Sequence, residues 1–231
     1  MNEYKKRIPI QGHFMTNKLD DNVYGWFQIN SFAKKKRKDE YITLSPKYLI
    51  EEQMPWLVIY SGVEPSKARR KFYTEIKKYV KAGLLKDKVY MKGKLEVECF
   101  ELTLEYDEMY YLMPVNVLEY LVNTQYSNTI RIYSYLMFKY QKNPRYTFTQ
   151  KEIIRNVFNQ KSTTHKPLND MISEILYELE DAGFFKINHE KYISLNGKAT
   201  RVKQIVKINE QPEEMERFFE DKSENALIFL P

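Results

Sequence analysis

The stretch EDAGFFKI (residues 180–187) sets a glycine between an alanine and two apolar residues, and VKAGLLKD (residues 80–87) does the same. Only seven glycines occur in 231 residues, so the repeated setting is informative. Each glycine follows apolar residues at helical spacing, where glycine suits the left-handed end of a helix. The two stretches predict one structural unit used twice, with a long helix ending at Gly83 and again at Gly183.

The stretches upstream of these glycines also align. YITLSPKYLI (residues 41–50) lies over RYTFTQKEII (residues 145–154), which matches Ser45 with Thr149. Serine and threonine are favoured N-cap residues, so each is expected to open a short helix. Two β-rich runs around a basic turn follow each long helix, as in KVYMKGKLEVECFELTL and KYISLNGKATRVKQIVKI. Each half therefore predicts helix, short strand, short helix, long helix and hairpin.

This element order is that of a winged helix-turn-helix domain, so the sequence predicts an α+β fold with two tandem winged helix-turn-helix domains. The predicted organisation has four segments. They are an N-terminal arm over residues 1–19, a first winged helix over 20–106, a second over 107–209, and an acidic C-terminal tail over 210–231.

Several stretches carry a family resemblance. TFTQKEIIRNVF, followed by ISEILYELEDAGFFKI, resembles the winged-helix families of bacterial DNA-binding proteins. NTIRIYSYLMFKY is similar to the first helix in replication proteins of phages and plasmids from Gram-positive bacteria. Two winged helices in tandem resemble plasmid replication initiators, which bind repeated origin sequences. The resemblance implies double-stranded DNA as a partner, a homodimer with one winged helix as its dimerisation surface, and host replication proteins as further partners.

Two other functions share the predicted fold. A winged-helix transcriptional regulator would show the same DNA-binding chemistry as an initiator. A protein-interaction scaffold would bind no DNA, and the acidic long helix of the second half together with the connector MYYLMPVNVLEYLVN favours it.

The charge distribution also points to a polyanionic partner. The formal net charge is +6 and the isoelectric point about 9.0. Residues 1–105 carry a net +7, residues 106–209 a net +4, and residues 210–231 a net −5. Basic segments of this kind are typical of nucleic-acid-binding proteins, although any single charge run can be a solvated face.

The first half places its candidate DNA contacts in three groups. One is a basic block at the predicted end of its first helix, for which a solvated helix C-terminus is the alternative. The second lies on the long helix and the third on the hairpin. In that order the residues are Lys34, Lys35, Lys36, Arg37 and Lys38; Lys67, Arg69, Arg70, Lys71 and Lys78; and Lys92 and Lys94.

The second half has an acidic long helix, so base reading is expected from the turn before it, where helix-turn-helix proteins touch DNA. The alternative is that Glu174 and Glu178 face a protein partner or a second copy of the chain. The candidates lie on the short helix, in the turn with the start of the long helix, and on the hairpin. They are Lys151 and Arg155; Lys161, Ser162, Thr163, Thr164, His165, Lys166 and Asn169; and Lys198, Arg201 and Lys203.

The sequence contains no motif that indicates catalysis. His13, His165 and His189 are far apart, which argues against a metal site, and no Walker A motif is present. The single cysteine, Cys99, excludes an internal disulfide framework. No apolar run is long enough to cross a membrane, and MNEYKKRIPI does not read as a signal peptide. We therefore expect a cytoplasmic protein that is not an enzyme and needs no cofactor.

Overall fold

The computed structural model describes residues 7–12, 15, 25, 70, 74, 76–83, 85–92, 94–102, 110–124, 128–195 and 197–228. The chain divides into two compact units. The smaller unit comprises residues 19–107, and the larger unit comprises residues 1–18 together with 108–231. Helices and strands occur together in a mixed α+β fold, as the sequence predicts.

The strands and helices follow in chain order, and the first list covers the strands. They are β1 (Arg7–Gln11), β2 (Leu85–Lys92), β3 (Leu95–Leu102), β4 (Tyr110–Pro114), β5 (Thr147–Phe148), β6 (Phe185–Leu195) and β7 (Lys198–Ile208). The helices are α1 (Val115–Thr124), α2 (Thr129–Lys142), α3 (Gln150–Asn156), α4 (Lys166–Asp181) and α5 (Glu213–Ile228). In the smaller unit, Arg70, Thr74 and residues 76–81 are also helical.

The segment from α2 to β7 contains the candidate site. Its three strands form one antiparallel sheet in the order β5-β7-β6, so the short strand pairs with the last strand of the hairpin. Thr149 caps α3, since its hydroxyl accepts a hydrogen bond from the Glu152 amide at 3.2 Å, as predicted for an N-cap threonine. The order of helices and strands over residues 129–208 is the one predicted for the second half.

The core of this segment is mainly apolar and every element contributes to it, although α2 also buries Thr129, Arg131 and Ser134. Burial is complete or nearly so on the inward faces of α2, α3 and α4 and on the sheet, and this removal of apolar surface from water drives folding. Its members include Ile132, Leu136, Phe148, Ile153, Ile172, Ile175, Leu176, Leu179 and Val202.

The helices before Gly83 and Gly183 end in the same way. Gly83 has φ +74° and Gly183 has φ +82°, the left-handed conformation predicted for both. In the smaller unit Ala82 N donates to Lys78 O at 2.9 Å and Gly83 N donates to Val80 O at 3.0 Å. The larger unit repeats these two bonds one hundred residues later, at 2.8 Å and 3.0 Å. A hairpin follows each glycine. The aligned stretch at residues 41–50 lies outside the described residues.

The segments predicted as an arm and a tail contribute β1 and α5 to the larger unit. β1 pairs antiparallel with β4, which places Ile8 opposite Met113. The guanidinium of Arg7 donates to Leu112 O at 3.0 Å and forms an ion pair with Glu210 at 2.6 Å. Arg7 therefore joins the first strand of the larger unit both to β4 and to the residues just before α5, each more than a hundred positions away in sequence.

Replacing Gly183 with alanine is expected to lower the free energy of unfolding by about 1–2 kcal/mol, because an L-residue in the left-handed region costs that much. An added Cβ would lie 3.4 Å from Cβ of Pro212, which is an ordinary contact, so the loss comes from the backbone. Urea unfolding followed by circular dichroism measures it. Gly183→Asn is the control, since asparagine tolerates positive φ better. Equal losses for the two variants would contradict a backbone origin.

Candidate nucleic-acid interface

A defined turn joins α3 to α4. Gln160 N donates to Ile154 O at 3.2 Å, and Asn159 has φ +48°. His165 is the N-cap of α4, because its Nδ1 accepts from the Leu168 amide at 3.3 Å. A neutral imidazole that accepts at Nδ1 carries its proton at Nε2, so His165 keeps one N–H donor for an external acceptor.

Asn169 holds this turn in place. Its Nδ2 donates to Thr163 O at 3.2 Å and to His165 O at 3.1 Å. An amide nitrogen has two hydrogens, so both donors of Asn169 are used within the chain. Asn169, which the sequence predicts as a DNA contact, is placed where it positions the turn.

Polar contacts also fix α3 against α4. Gln150 Nε2 donates to Ser173 Oγ and approaches Asn169 O at 3.5 Å. Ser173 Oγ donates to the same carbonyl at 3.0 Å. The first residue of α3 is therefore joined by hydrogen bonds to the N-terminal half of α4, in addition to the packing of their apolar faces.

A cluster of tyrosines stabilises α3 from the side of α2. Tyr135 OH donates to Glu152 Oε1 at 3.2 Å, Tyr146 OH donates to the same oxygen, and Asn156 Nδ2 donates to Tyr135 OH at 2.8 Å. Burial raises the pKa of Tyr135 to about 12, so it stays a neutral donor at neutral pH. Sequence reasoning missed this cluster, although Glu152 three residues after Thr149 has the spacing of a capping box.

Four exposed cations lie on α3, in the turn and at the start of α4, and they are named the turn cations. They are Lys151, Arg155, Lys161 and Lys166. No ion pair to another described residue holds any of them. The first turn of α4 has no acidic residue, so the partial positive charge of its N-terminus adds to theirs. The exposed hydroxyls of Ser162 and Thr164 lie between them, 3.1 Å apart.

The body of α4 has the opposite charge. Its outer side exposes Asp170, Glu174 and Asp181, with Tyr177 68% exposed among them. Glu178 is half-buried, and its Oε2 has no hydrogen-bond partner among the described residues. Burial, and then the neighbouring charge of Glu174, raise the pKa of the Glu178 carboxyl. Phosphate is therefore attracted to the N-terminal end of α4 and repelled by its body.

The hairpin places its predicted contacts differently. Arg201 is exposed, and its Nε donates to His189 O at 2.7 Å. Lys203 is half-buried, and desolvation lowers the pKa of its ammonium while Glu180 opposes that shift. Lys198 is the first residue of β7. Of these three predicted DNA contacts, Lys203 is partly withdrawn from solvent into the sheet.

The predicted contacts of the smaller unit are described only in part. Arg70 and Lys78 are helical and exposed, Lys94 is exposed in the hairpin turn, and Lys92 ends β2. The remaining candidates lie outside the described residues, namely Lys34, Lys35, Lys36, Arg37, Lys38, Lys67, Arg69 and Lys71.

Comparison with known proteins found no matching family model, no matching curated protein and no matching solved structure. Within the part of the chain that the structure describes, no three His, Cys, Asp or Glu side chains are grouped to hold a metal ion. None of the described helices combines the length and apolar character needed to cross a membrane.

Proposed function

We propose that this chain is a double-stranded-DNA-binding protein with two winged helix-turn-helix domains. One observation carries the proposal, namely the order of elements from α2 to β7. A helix is followed by a short strand, two helices joined by a turn, and a hairpin, and the short strand β5 is hydrogen-bonded to β7, the second strand of the hairpin. This order over residues 129–208 is the one expected of a winged helix, in which the second helix of the helix-turn-helix would read DNA. In the smaller unit, a helix, a left-handed glycine and a hairpin support a second copy of it.

The charge pattern of the larger unit favours contact through the N-terminal end of α4. The major groove admits a helix, and recognition helices touch base edges with their N-terminal residues. Here that end carries Lys166 and a positive helix terminus, and Lys161 lies in the turn just before it. The acidic body of α4 would be repelled by a row of phosphates. We infer an end-on approach in which the turn enters the groove and the body of α4 tilts away from the duplex.

Roles within the turn follow from which donors remain free. Thr164, His165 and Lys166 are exposed at the start of α4, and His165 presents Nε2 outward when Nδ1 caps the helix. These three are the proposed base readers. The turn cations other than Lys166 are the proposed phosphate contacts, because phosphate contacts fix register and base contacts supply specificity.

Replication initiation of a plasmid or phage is the biological role we propose, on the strength of the tandem winged helices and the resemblance to initiators. A transcriptional regulator shares all of this chemistry. Footprinting on the DNA that flanks the gene separates the two, since an initiator protects iterated repeats and a regulator protects a promoter. The acidic body of α4 with exposed Tyr177 favours a second candidate, a protein-binding scaffold, which would protect neither.

Binding to a random duplex of about 30 base pairs tests the proposal. Fluorescence anisotropy between about 50 and 200 mM salt is expected to show affinity that falls with salt, at a logarithmic slope of about −2.7 or steeper, since each of the three proposed phosphate contacts contributes roughly −0.9. A single strand of the same length is the control and is expected to bind more weakly. Absence of duplex binding at the lowest salt would exclude DNA binding and favour the scaffold.

A further inference from the structure

The helices that end before Gly83 and Gly183 carry opposite charges at equivalent outward positions. With the offset of one hundred residues that aligns the two glycines, each cation of the first helix meets an acid or a neutral residue of the second. The pairs are Arg70 with Asp170, Thr74 with Glu174, Lys77 with Tyr177, Lys78 with Glu178 and Lys81 with Asp181. The five positions of the first helix sum to +4 and those of the second to −4.

The pattern of buried and exposed residues is similar in the two helices. Ile76 and Tyr79 are buried, as are Leu176 and Leu179 one hundred residues later. Four of the outward positions, 70, 74, 77 and 81, are exposed in the first helix, and their counterparts 170, 174, 177 and 181 are exposed in the second. One helix therefore presents a basic face made by Arg70, Lys77 and Lys81, and α4 presents an acidic face made by Asp170, Glu174 and Asp181.

We propose that the acidic face of α4 docks on the basic face of a second copy of this chain. Residues three and four apart lie on one side of a helix, so each face is a row of charges. Arg70 and Lys81 match Asp170 and Asp181 in position, and Lys77 lies three residues from the position that matches Glu174. One row can therefore be laid parallel to the other with each carboxylate within about one helical turn of a cation. Within this contact Tyr177 supplies aromatic area against the aliphatic stems of the lysines, which is how tyrosine commonly anchors interfaces.

The contact joins two different surfaces, which decides what assemblies it allows. Each copy carries one basic face and one acidic face. Two copies can satisfy both faces in a closed two-fold dimer, or successive copies can extend as an open chain. Either assembly depends on charge pairs at exposed positions, so it is expected to form at low salt and to dissociate at high salt.

This contact also bears on DNA binding, a consequence that rests on the proposed function. Arg70 of the basic face is one of the predicted DNA contacts of the smaller unit. The acidic face presents carboxylates where a duplex would present phosphates, so DNA and the second copy compete for one surface. Free protein would associate with itself, and duplex would release it.

Charge-reversal variants test the contact by sedimentation velocity at about 50 mM salt, where exposed charges are weakly screened. Wild-type protein is expected to sediment above the monomer mass of 27.9 kDa. The D170K/E174K/D181K variant has two basic faces and is expected to be a monomer. The R70E/K77E/K81E variant has two acidic faces and is also expected to be a monomer. A one-to-one mixture of the two variants restores complementary faces and is expected to associate, which also shows that both are folded.

The control is E213K/E214K/E216K on α5, which changes the net charge as much as the first variant and leaves both faces intact. It is expected to associate like wild type. A monomeric wild type at about 50 mM salt, or a mixture that stays monomeric, would overturn the contact. Excess random duplex is expected to release wild-type monomers bound to DNA. If the mass pattern holds and duplex binding is absent, the proposed function fails and the contact stands. Duplex that binds the assembly without dissociating it would overturn the competition.

Discussion

Alanine at all four turn cations, Lys151, Arg155, Lys161 and Lys166, is expected to weaken duplex binding by about 100-fold at 0.1 M salt. Each of these side chains is exposed, and none forms an ion pair with another described residue, so their charge is available to phosphate. Loss of the three proposed phosphate contacts, Lys151, Arg155 and Lys161, is also expected to flatten the logarithmic salt dependence by about 2.7. Anisotropy titrations over a salt series measure both quantities.

A matched variant separates local contact from net charge. It replaces four other exposed cations with alanine, namely Lys142, Lys186, Lys207 and Arg217. The change in net charge is the same. Lys186 and Lys207, however, are opposite each other on β6 and β7 at the start of the hairpin, which follows the C-terminal end of α4 and not its N-terminal end. We expect a loss under about tenfold and a slope changed by less than one unit. Equal effects from both variants would refute an interface at the N-terminal end of α4.

Local patterns in the sequence were sufficient for the elements around the turn. Thr149 as a cap and Gly183 as a left-handed helix end were predicted because each depends on backbone groups within a few residues. The long helix predicted to end at Gly183 is α4, whose last helical residue, Asp181, is two positions before that glycine. Such signals remain readable because the chemistry of a helix end is local.

Contacts between distant segments were not predictable in this way. β1 pairs with β4 about a hundred residues later, and nothing in RIPIQ or YYLMP names the other as its partner. The role of Asn169 depends on a folded turn that brings the carbonyls of Thr163 and His165 to its amide. A polar residue near a helix start is consistent with base reading as much as with holding a turn, so the sequence left this choice open.

In the hairpin, the exposure of side chains differs from the sequence prediction because the strand pairing is irregular. The pairing of β6 with β7 shifts register after Lys186 and again after Asn188. Each such shift alters which side chains face the core, so strict alternation along the strand no longer predicts exposure. Val202 and Ile205 are both buried although they are three residues apart, and Lys203 between them is half-buried. In a regular strand, residues three apart point to opposite faces of the sheet. The sequence therefore predicts a more accessible lysine than the fold provides.

Phe184, the first aromatic residue of the AGFF stretch, is fully buried where several parts of the larger unit meet. Its ring lies 5.3 Å from that of Tyr120 on α1 and 5.7 Å from that of Tyr133 on α2. Its amide donates to Leu179 O at 3.0 Å, and its carbonyl accepts from Asn209 N at 2.8 Å. The side chain thus connects the end of the long helix to two earlier helices, at Tyr120 and Tyr133.

Truncation of Phe184 to alanine is expected to lower the free energy of unfolding by about 3–5 kcal/mol, which combines lost burial with the cavity left behind. Urea denaturation followed by circular dichroism measures the change. Tyr177→Ala removes an aromatic ring of similar size from the exposed side of α4 and is expected to cost under about 0.5 kcal/mol. If the two truncations cost the same, Phe184 does not pack as described. A large loss at Phe184 alone would show that the residue after the repeated glycine holds the long helix to the core beneath the hairpin, and that the glycine turns the chain so that this ring can reach it.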